Sequence, residues 1–131
     1  MQSEVNTTIR VVCAILENKH QFLVCQKVDD QTGQQVWEFP GGKIETGETV
    51  FEATIREIEE ELSLACNPYR IGESVFKTKG DIQIELIPVW CKCPTQDFTL
   101  HEHLDAKWLT KAQLSNLNWS SGDDELVKQI K

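Results

Sequence analysis

Residues Gly42 to Leu64 read GKIETGETVFEATIREIEEELSL, and four of their glutamates, Glu57, Glu59, Glu60 and Glu61, fall within five positions. Phe51, Ile55, Ile58 and Leu62 recur at spacings of four, three and four, the period of an amphipathic helix. Thr49 with Glu52 supplies a capping box at its start. The expected helix runs about four turns, from Thr49 to Ser63, with Asn67-Pro68 opposing further continuation. At about 100° per residue, with Phe51 set at zero, Glu57, Glu60 and Glu61 fall at roughly 240°, 180° and 280°, against about 80° for Glu59. Three carboxylates therefore share a face away from the apolar stripe, where they repel one another unless something neutralises them.

A solvated acidic face is the ordinary explanation of such a helix, and Arg56 would relieve the crowding by pairing with Glu52 and Glu60, four residues away on either side. Clustered carboxylate oxygens equally suit a hard divalent cation such as Mg²⁺ or Mn²⁺. The neighbouring residues favour the second reading. Upstream, EFPGGKIETGE, Glu38 to Glu48, places two adjacent glycines where the backbone can approach a ligand closely, and Lys43 adds a point charge suited to phosphate. Loop and helix together make an anion and metal site.

Outward from this stretch, Thr7 to Leu16 and Gln21 to Lys27 are rich in β-branched residues and predict a β-hairpin across ENKH. A short apolar segment, VWEF, precedes a sharp bend at PGGK. Ser74 to Lys79 and Ile82 to Lys92 read as strands around a Lys-Gly-Asp turn, Ala106 to Leu109 as a short strand, and Asp123 to Ile130 as a second helix. The order β-β-β-α-β-β-β-α suits mixed α/β layers rather than a repeated βαβ array.

The 131 residues fit one domain, 1–131. Thirteen basic against 21 acidic residues give a net charge of −8, which argues against a grip on a nucleic-acid polymer. A phosphorylated ligand would need positive charge from elsewhere, and a divalent cation is the obvious source. The start lacks a basic segment leading into an apolar run, and no run is long enough to cross a bilayer, so a cytoplasmic protein with no membrane partner is expected. Cys13, Cys25, Cys66, Cys91 and Cys93 are odd in number and without CxxC spacing, as reduced core or strand thiols would be. Cys91 and Cys93 would share a strand face, but no nearby partner is evident for a soft-metal or redox site.

The stretch from Gly42 to Leu64 resembles the Nudix box, Gly-x5-Glu-x7-Arg-Glu-U-x-Glu-Glu-x-Gly-U, in which U is bulky and apolar. Gly42, Glu48, Arg56, Glu57, Ile58, Glu60, Glu61 and Leu64 match. Ser63 stands where the pattern has glycine, and a left-handed helix end there would cost about 1 to 2 kcal/mol. The preceding WEFPGGK resembles the MutT branch of nucleoside triphosphate pyrophosphohydrolases. The motifs cover about a third of the chain, and the rest is a looser match.

The resemblance implies a Nudix fold, an α+β architecture arranged as an α-β-α sandwich, with a mixed β-sheet between helices and a central loop-helix catalytic motif. It also implies cleavage of a nucleoside triphosphate to monophosphate and pyrophosphate with Mg²⁺, for which Mn²⁺ would substitute. The substrate would be an oxidised nucleotide such as 8-oxo-dGTP. Alternatives are a pyrimidine enzyme for CTP, dCTP or modified dCTP, and a non-catalytic module that binds a nucleotide or a protein. The partner is a small nucleotide, and the sequence does not distinguish a monomer from a homodimer.

Carried over by position, Glu57, Glu60, Glu61 and the Gly41 carbonyl would hold the metal, Arg56 would orient a carboxylate, and Glu48 would assist. Glu102, in the loop before the strand bearing Trp108, would be a further metal ligand or the general base. Its neighbours His101 and His103 read as plain loop histidines rather than a His-x-His zinc pair. Lys43 and Lys27 would touch phosphates. WSSGDDELV resembles the segment whose Asn or Asp reads the base, which nominates Asp123 and then Asp124; the competing reading has Asp123 or Ser121 capping the helix. A stacking platform would come from Trp37, Phe39, Phe76, Trp90 or Trp119.

Overall fold

The computed structural model describes residues 7–131. In chain order the elements are β1 (Thr7–Asn18), β2 (Gln21–Val28), β3 (Gln35–Glu38), β4 (Gly41–Lys43), α1 (Val50–Leu62), β5 (Asn67–Ile71), β6 (Val75–Lys79), β7 (Ile82–Lys92), β8 (Asp105–Thr110), α2 (Lys111–Leu114) and α3 (Asp123–Val127). They form a sheet in the order β3-β2-β1-β7-β5, with β4 added to β1, β6 to β7 and β8 to β2. β1 and β7 run parallel from Thr7↔Ile82 to Glu17↔Lys92.

Alternation along β1 divides the core. Val12, Ala14 and Leu16 pack with Ala53, Ile58 and Leu62 of α1 on one face of the sheet. Cys13 and Ile15 pack on the other face with Leu114 of α2 and Leu126 of α3. A strand buried on both faces reads as a near-continuous apolar run, which is the composition of β1. The result is the expected mixed sheet between helices.

Several local expectations change. β1 and β2 pair as a hairpin only at Glu17↔Phe22 and Asn18↔Gln21. Beyond that tip they diverge, because β7 occupies one edge of β1 and β4 takes the other through Val11↔Lys43, Val12↔Gly42 and Cys13↔Gly41. The glycines read as a bend therefore belong to a strand. Asn67-Pro68 likewise opens β5, whose register shifts between Pro68 and Arg70, an irregularity that accommodates proline on an edge strand.

The helix α1 is capped as expected: Glu52 N–H donates to Thr49 Oγ1 at 3.1 Å and Thr49 N–H to Glu52 Oε1 at 2.9 Å. Its buried residues are Ala53, Thr54, Ile58, Leu62 and the carboxylate-bearing Glu61, whereas Ile55, expected in the stripe, is 45% exposed. α3 stops at Val127, three residues short of expectation, and continues as tight turns to Ile130. No helix among the described residues is long and apolar enough to cross a membrane.

All five cysteines are free and buried. Cys91 Sγ donates to the Val89 carbonyl at 3.5 Å, and the Cys66 thiol is near enough for the two to influence one another's ionisation, so Cys91 has a thiol neighbour that the sequence does not reveal. Burial pushes the Cys93 thiol up to about 12, which keeps it protonated and unreactive near neutral pH.

Candidate active site

The site grows from the contact between β4 and α1. A Cβ on Gly41 would fall 1.8 Å from the Val12 carbonyl oxygen, and one on Gly42 would fall 2.0 Å from Glu57 Oε2. Glycine is thus required for close approach of the strand to β1 and to the helix's own carboxylate. Arg56 lies at the centre of the acidic face. Its Nη1 donates to Glu57 Oε1 at 2.8 Å and to Glu60 Oε2 at 3.2 Å, and its Nη2 to Glu48 Oε1 at 2.9 Å and the Lys43 carbonyl at 3.0 Å. The expected partner Glu52 is instead engaged in the cap.

Glu48 is held at both oxygens by Arg56, with a further hydrogen bond from Glu45 N–H at 2.8 Å. The Arg56 hydrogen bonds lower its carboxyl to about 2, so Glu48 serves as an anchor for the guanidinium. Glu59 is exposed on another side of the helix, as expected. Glu61 is buried, and desolvation followed by the charge of Glu57 raises its carboxyl to about 9, with a hydrogen bond to Glu57 and the charges of Glu102 and Glu38 adding to the effect. Carboxylates at such range stay together only with a proton or a cation between them. Among the described residues no three ligating side chains already converge at metal-bonding distance, because Arg56 draws Glu57 and Glu60 towards itself.

The loop carrying Glu102 docks on the end of α1. Thr99 N–H donates to the Leu62 carbonyl at 2.8 Å and His101 N–H to the Glu61 carbonyl at 3.2 Å. Ser63 takes the left-handed conformation (φ 49°, ψ 42°), and its Oγ lies 2.8 Å from His101 Nε2. The His103 side chain is 8% exposed, with Nε2 2.9 Å from Glu38 Oε2. Neither histidine is a plain loop residue, and their rings engage different elements. Glu102 itself is exposed, near enough to Glu61 for its charge to be felt there.

A cavity of about 180 Å³ adjoins this cluster, lined by Glu38, Phe39, Gly41, Lys77, Ser120 and Asp123 among others. Asp123 is buried and accepts a hydrogen bond from Phe39 N–H at 2.9 Å. Burial raises its carboxyl to about 7 against the lowering effect of that bond. It caps nothing, since Gly122 is the N-cap; Asp124 is exposed and accepts from Gly122 N–H. Lys27 lines the cavity but is paired with Glu38 at 3.0 Å. Lys43 is exposed and lines a separate shallow depression with Arg10, so it does not join Asp123.

Of the proposed aromatic platform, Phe39 lines the cavity, but its ring is buried and stacks on Trp119 at 5.0 Å. Trp37 and Trp90 are core, and Phe76 is exposed but outside the cavity lining. Glu38 and His103 are the participants that the sequence did not nominate for the site. Their pairing spans 65 residues, and no local spacing announces it.

The model of the NUDIX domain matches residues 7–130. The chain belongs to the Nudix hydrolase family. This Nudix chain is 33% identical over 124 residues to the CTP pyrophosphohydrolase of Escherichia coli (strain K12), covering 92% of this chain and 89% of that protein. It is 32% identical over 123 residues to the nucleoside triphosphatase NudI of Enterobacter sp. (strain 638), covering 82% and 86%. Among solved structures, that of the E. coli ORF135 protein superposes with a TM-score of 0.81 at 27% identity, covering 93% of this Nudix chain and 87% of the other.

Proposed function

We propose that this chain works as a single-domain, Mg²⁺-dependent pyrophosphohydrolase that splits a nucleoside triphosphate into monophosphate and pyrophosphate, with Mn²⁺ as a substitute metal. The observation that carries this reading is the adjacency of two features. Gly41 lines the cavity that holds Asp123, and Gly42, the next residue, abuts the Glu57 carboxylate.

The acidic cluster fits a divalent cation. Glu57 lies close enough to Glu61 for its charge to raise the Glu61 carboxyl, and Glu61 Oε1 is buried without a hydrogen-bond partner. Glu57, Glu60, Glu61 and the Gly41 carbonyl would hold the ion, with Glu102 alongside. Such an ion neutralises phosphate charge and lowers the pKa of bound water. Arg56, fixed by Glu48, orients Glu57 and Glu60, so Glu48 acts through Arg56. Asp123, fixed by Phe39 N–H, would take a hydrogen bond from the base edge. Lys27 and Lys43 add positive charge near the phosphates, the first already matched by Glu38.

For the base, an oxidised purine such as that of 8-oxo-dGTP follows from the WEFPGGK resemblance. A pyrimidine, as in CTP or dCTP, is the second reading, favoured by similarity over nearly the whole chain to an enzyme named for CTP. The binding-module reading loses ground because all three box glutamates of the Glu-x-x-Glu-Glu run are present.

The test is product analysis with Mg²⁺ over a panel of normal and oxidised nucleoside triphosphates. Pyrophosphate and monophosphate are expected, and the ranking of kcat/KM assigns the base. Release of phosphate with diphosphate, or no turnover of any triphosphate, overturns the reading.

A further inference from the structure

Two buried polar atoms without hydrogen-bond partners face each other beside α1: Glu61 Oε1 and His103 Nδ1, 3.9 Å apart. The side chains are 7% and 8% exposed, so water does not satisfy them. The other ring nitrogen of His103 is committed. Nε2 lies 2.9 Å from Glu38 Oε2, and the second Glu38 oxygen is 3.0 Å from Lys27 Nζ. A carboxylate paired with an ammonium accepts, so Nε2 donates to Glu38, and Nδ1 is the ring nitrogen left facing Glu61 without a hydrogen-bond partner. Nδ1 and the carboxylate oxygen are too far apart for a direct hydrogen bond, and the gap between them is the width that a bound cation fills.

A carboxylate that receives one imidazole N–H while the other nitrogen is left free is the arrangement that orients histidine ligands at metal sites. Two ligand bonds of about 2.1 Å span the observed gap. The backbone already seats the ring, since His101 N–H and Thr99 N–H are bonded to the last carbonyls of α1. We propose that His103 Nδ1 and Glu61 Oε1 are joint ligands of the divalent cation at this site. The inference rests on the metal-dependent reading above and adds a nitrogen donor to an otherwise all-oxygen set. Imidazole suits transition metals, whereas carboxylate and carbonyl oxygens suit Mg²⁺ and Mn²⁺ alike. His103 therefore shifts the preference of the site towards Mn²⁺ over Mg²⁺.

The experiment is electron spin echo spectroscopy of Mn²⁺ bound to the full chain, with Mn²⁺ affinity followed by titration and Mg²⁺ affinity by competition. The wild type is expected to show ¹⁴N coupling from a directly bound imidazole, converted to ¹⁵N coupling when the protein carries ¹⁵N-labelled histidine. His103→Gln should lose the coupling and bind Mn²⁺ at least about 10-fold more weakly, with a smaller change for Mg²⁺. Coupling that persists in His103→Gln overturns the proposal. So does bound Mn²⁺ that is displaced by Glu60→Gln yet shows no histidine nitrogen in the wild type, an outcome that leaves the metal-dependent reading standing. No Mn²⁺ binding at all removes both. If His103→Gln fails to fold, the labelled His101→Gln protein decides: coupling that survives there supports His103, and coupling lost there overturns the proposal.

Discussion

Ser63 Oγ lies 2.8 Å from His101 Nε2, so the residue that ends α1 is tied to the loop that carries Glu102. The same loop donates backbone N–H groups to the carbonyls of Glu61 and Leu62. A helix end normally leaves such carbonyls without intrahelical partners. Here the end of the acidic helix and the Glu102 loop form one hydrogen-bonded unit.

Ser63→Gly trades two effects. Glycine relieves the left-handed conformation, worth about 1 to 2 kcal/mol, and removes an exposed hydrogen bond worth about 1 kcal/mol. The net change in denaturant unfolding should stay within about 1 kcal/mol. His101→Ala loses the bond without relief and should destabilise, but add nothing in the Ser63→Gly background. Equal cost of His101→Ala in both backgrounds would show that the pair is not coupled.

Arg56 binds Glu48, Glu57 and Glu60 at once, a geometry that a lysine ammonium cannot reproduce. Arg56→Lys should therefore lower kcat/KM for pyrophosphate release by about 10- to 100-fold while leaving the fold intact by circular dichroism. Wild-type turnover in the lysine variant would remove Arg56 from its orienting role.

The two glycines of β4 should fail in different ways. Gly41→Ala drives a methyl into the Val12 carbonyl, which is backbone and cannot yield, so thermal unfolding should report a loss of about 2 kcal/mol or more. At Gly42 the obstructing atoms are the Glu57 carboxylate, a movable side chain. Gly42→Ala should fold, with turnover reduced at least about 10-fold because Glu57 is displaced. A reversed pattern, with Gly41→Ala stable and Gly42→Ala unfolded, contradicts the assignment.

Asp123 gives a pH signature. Its carboxyl titrates at about 7 when folded, against an ordinary value of 3.8. Between these values the native state holds a proton that the unfolded chain has released, so stability falls as pH rises through this window and levels off above it. Asp123→Asn keeps an acceptor for Phe39 N–H and has no such titration. Relative to wild type, the variant should gain on the order of a few kcal/mol between pH 4 and pH 8. Parallel stability curves for the two proteins would show that Asp123 ionises normally.

What could be read from the chain alone divides along range of contact. The capping box of Thr49 and Glu52, the length of α1 and the placement of Glu57, Glu60 and Glu61 away from the apolar stripe depend on neighbours within a turn or two, and these were legible. So was β7, whose β-branched run leaves little alternative. Gly41 to Lys43 looked like a bend because two glycines have no strand propensity; pairing with Val11 to Cys13 makes it a strand. Pro68 opposes continuation of α1, which ends at Leu62, but nothing local announces that it opens an edge strand with an irregular register. Ile55 fitted the apolar period but lies past the limit of the sheet's cover, leaving small Ala53 and Thr54 to make the close contact. His103 and Glu38 are joined only by the sheet's topology, and Lys27 was read as a phosphate contact because its partner Glu38 was not visible.

The acidic face of α1 is either a catalytic centre, as proposed, or a solvated surface. The most direct measurement is steady-state pyrophosphate release by Glu60→Gln beside the wild type, on the best triphosphate and with saturating Mg²⁺, with thermal unfolding of both. The Glu60 side chain is 56% exposed, so the substitution should leave Tm nearly unchanged. The predicted result is a loss of about 100-fold or more in kcat/KM at equal stability. Activity retained within a few-fold by a folded Glu60→Gln protein would make the acidic face a solvated surface.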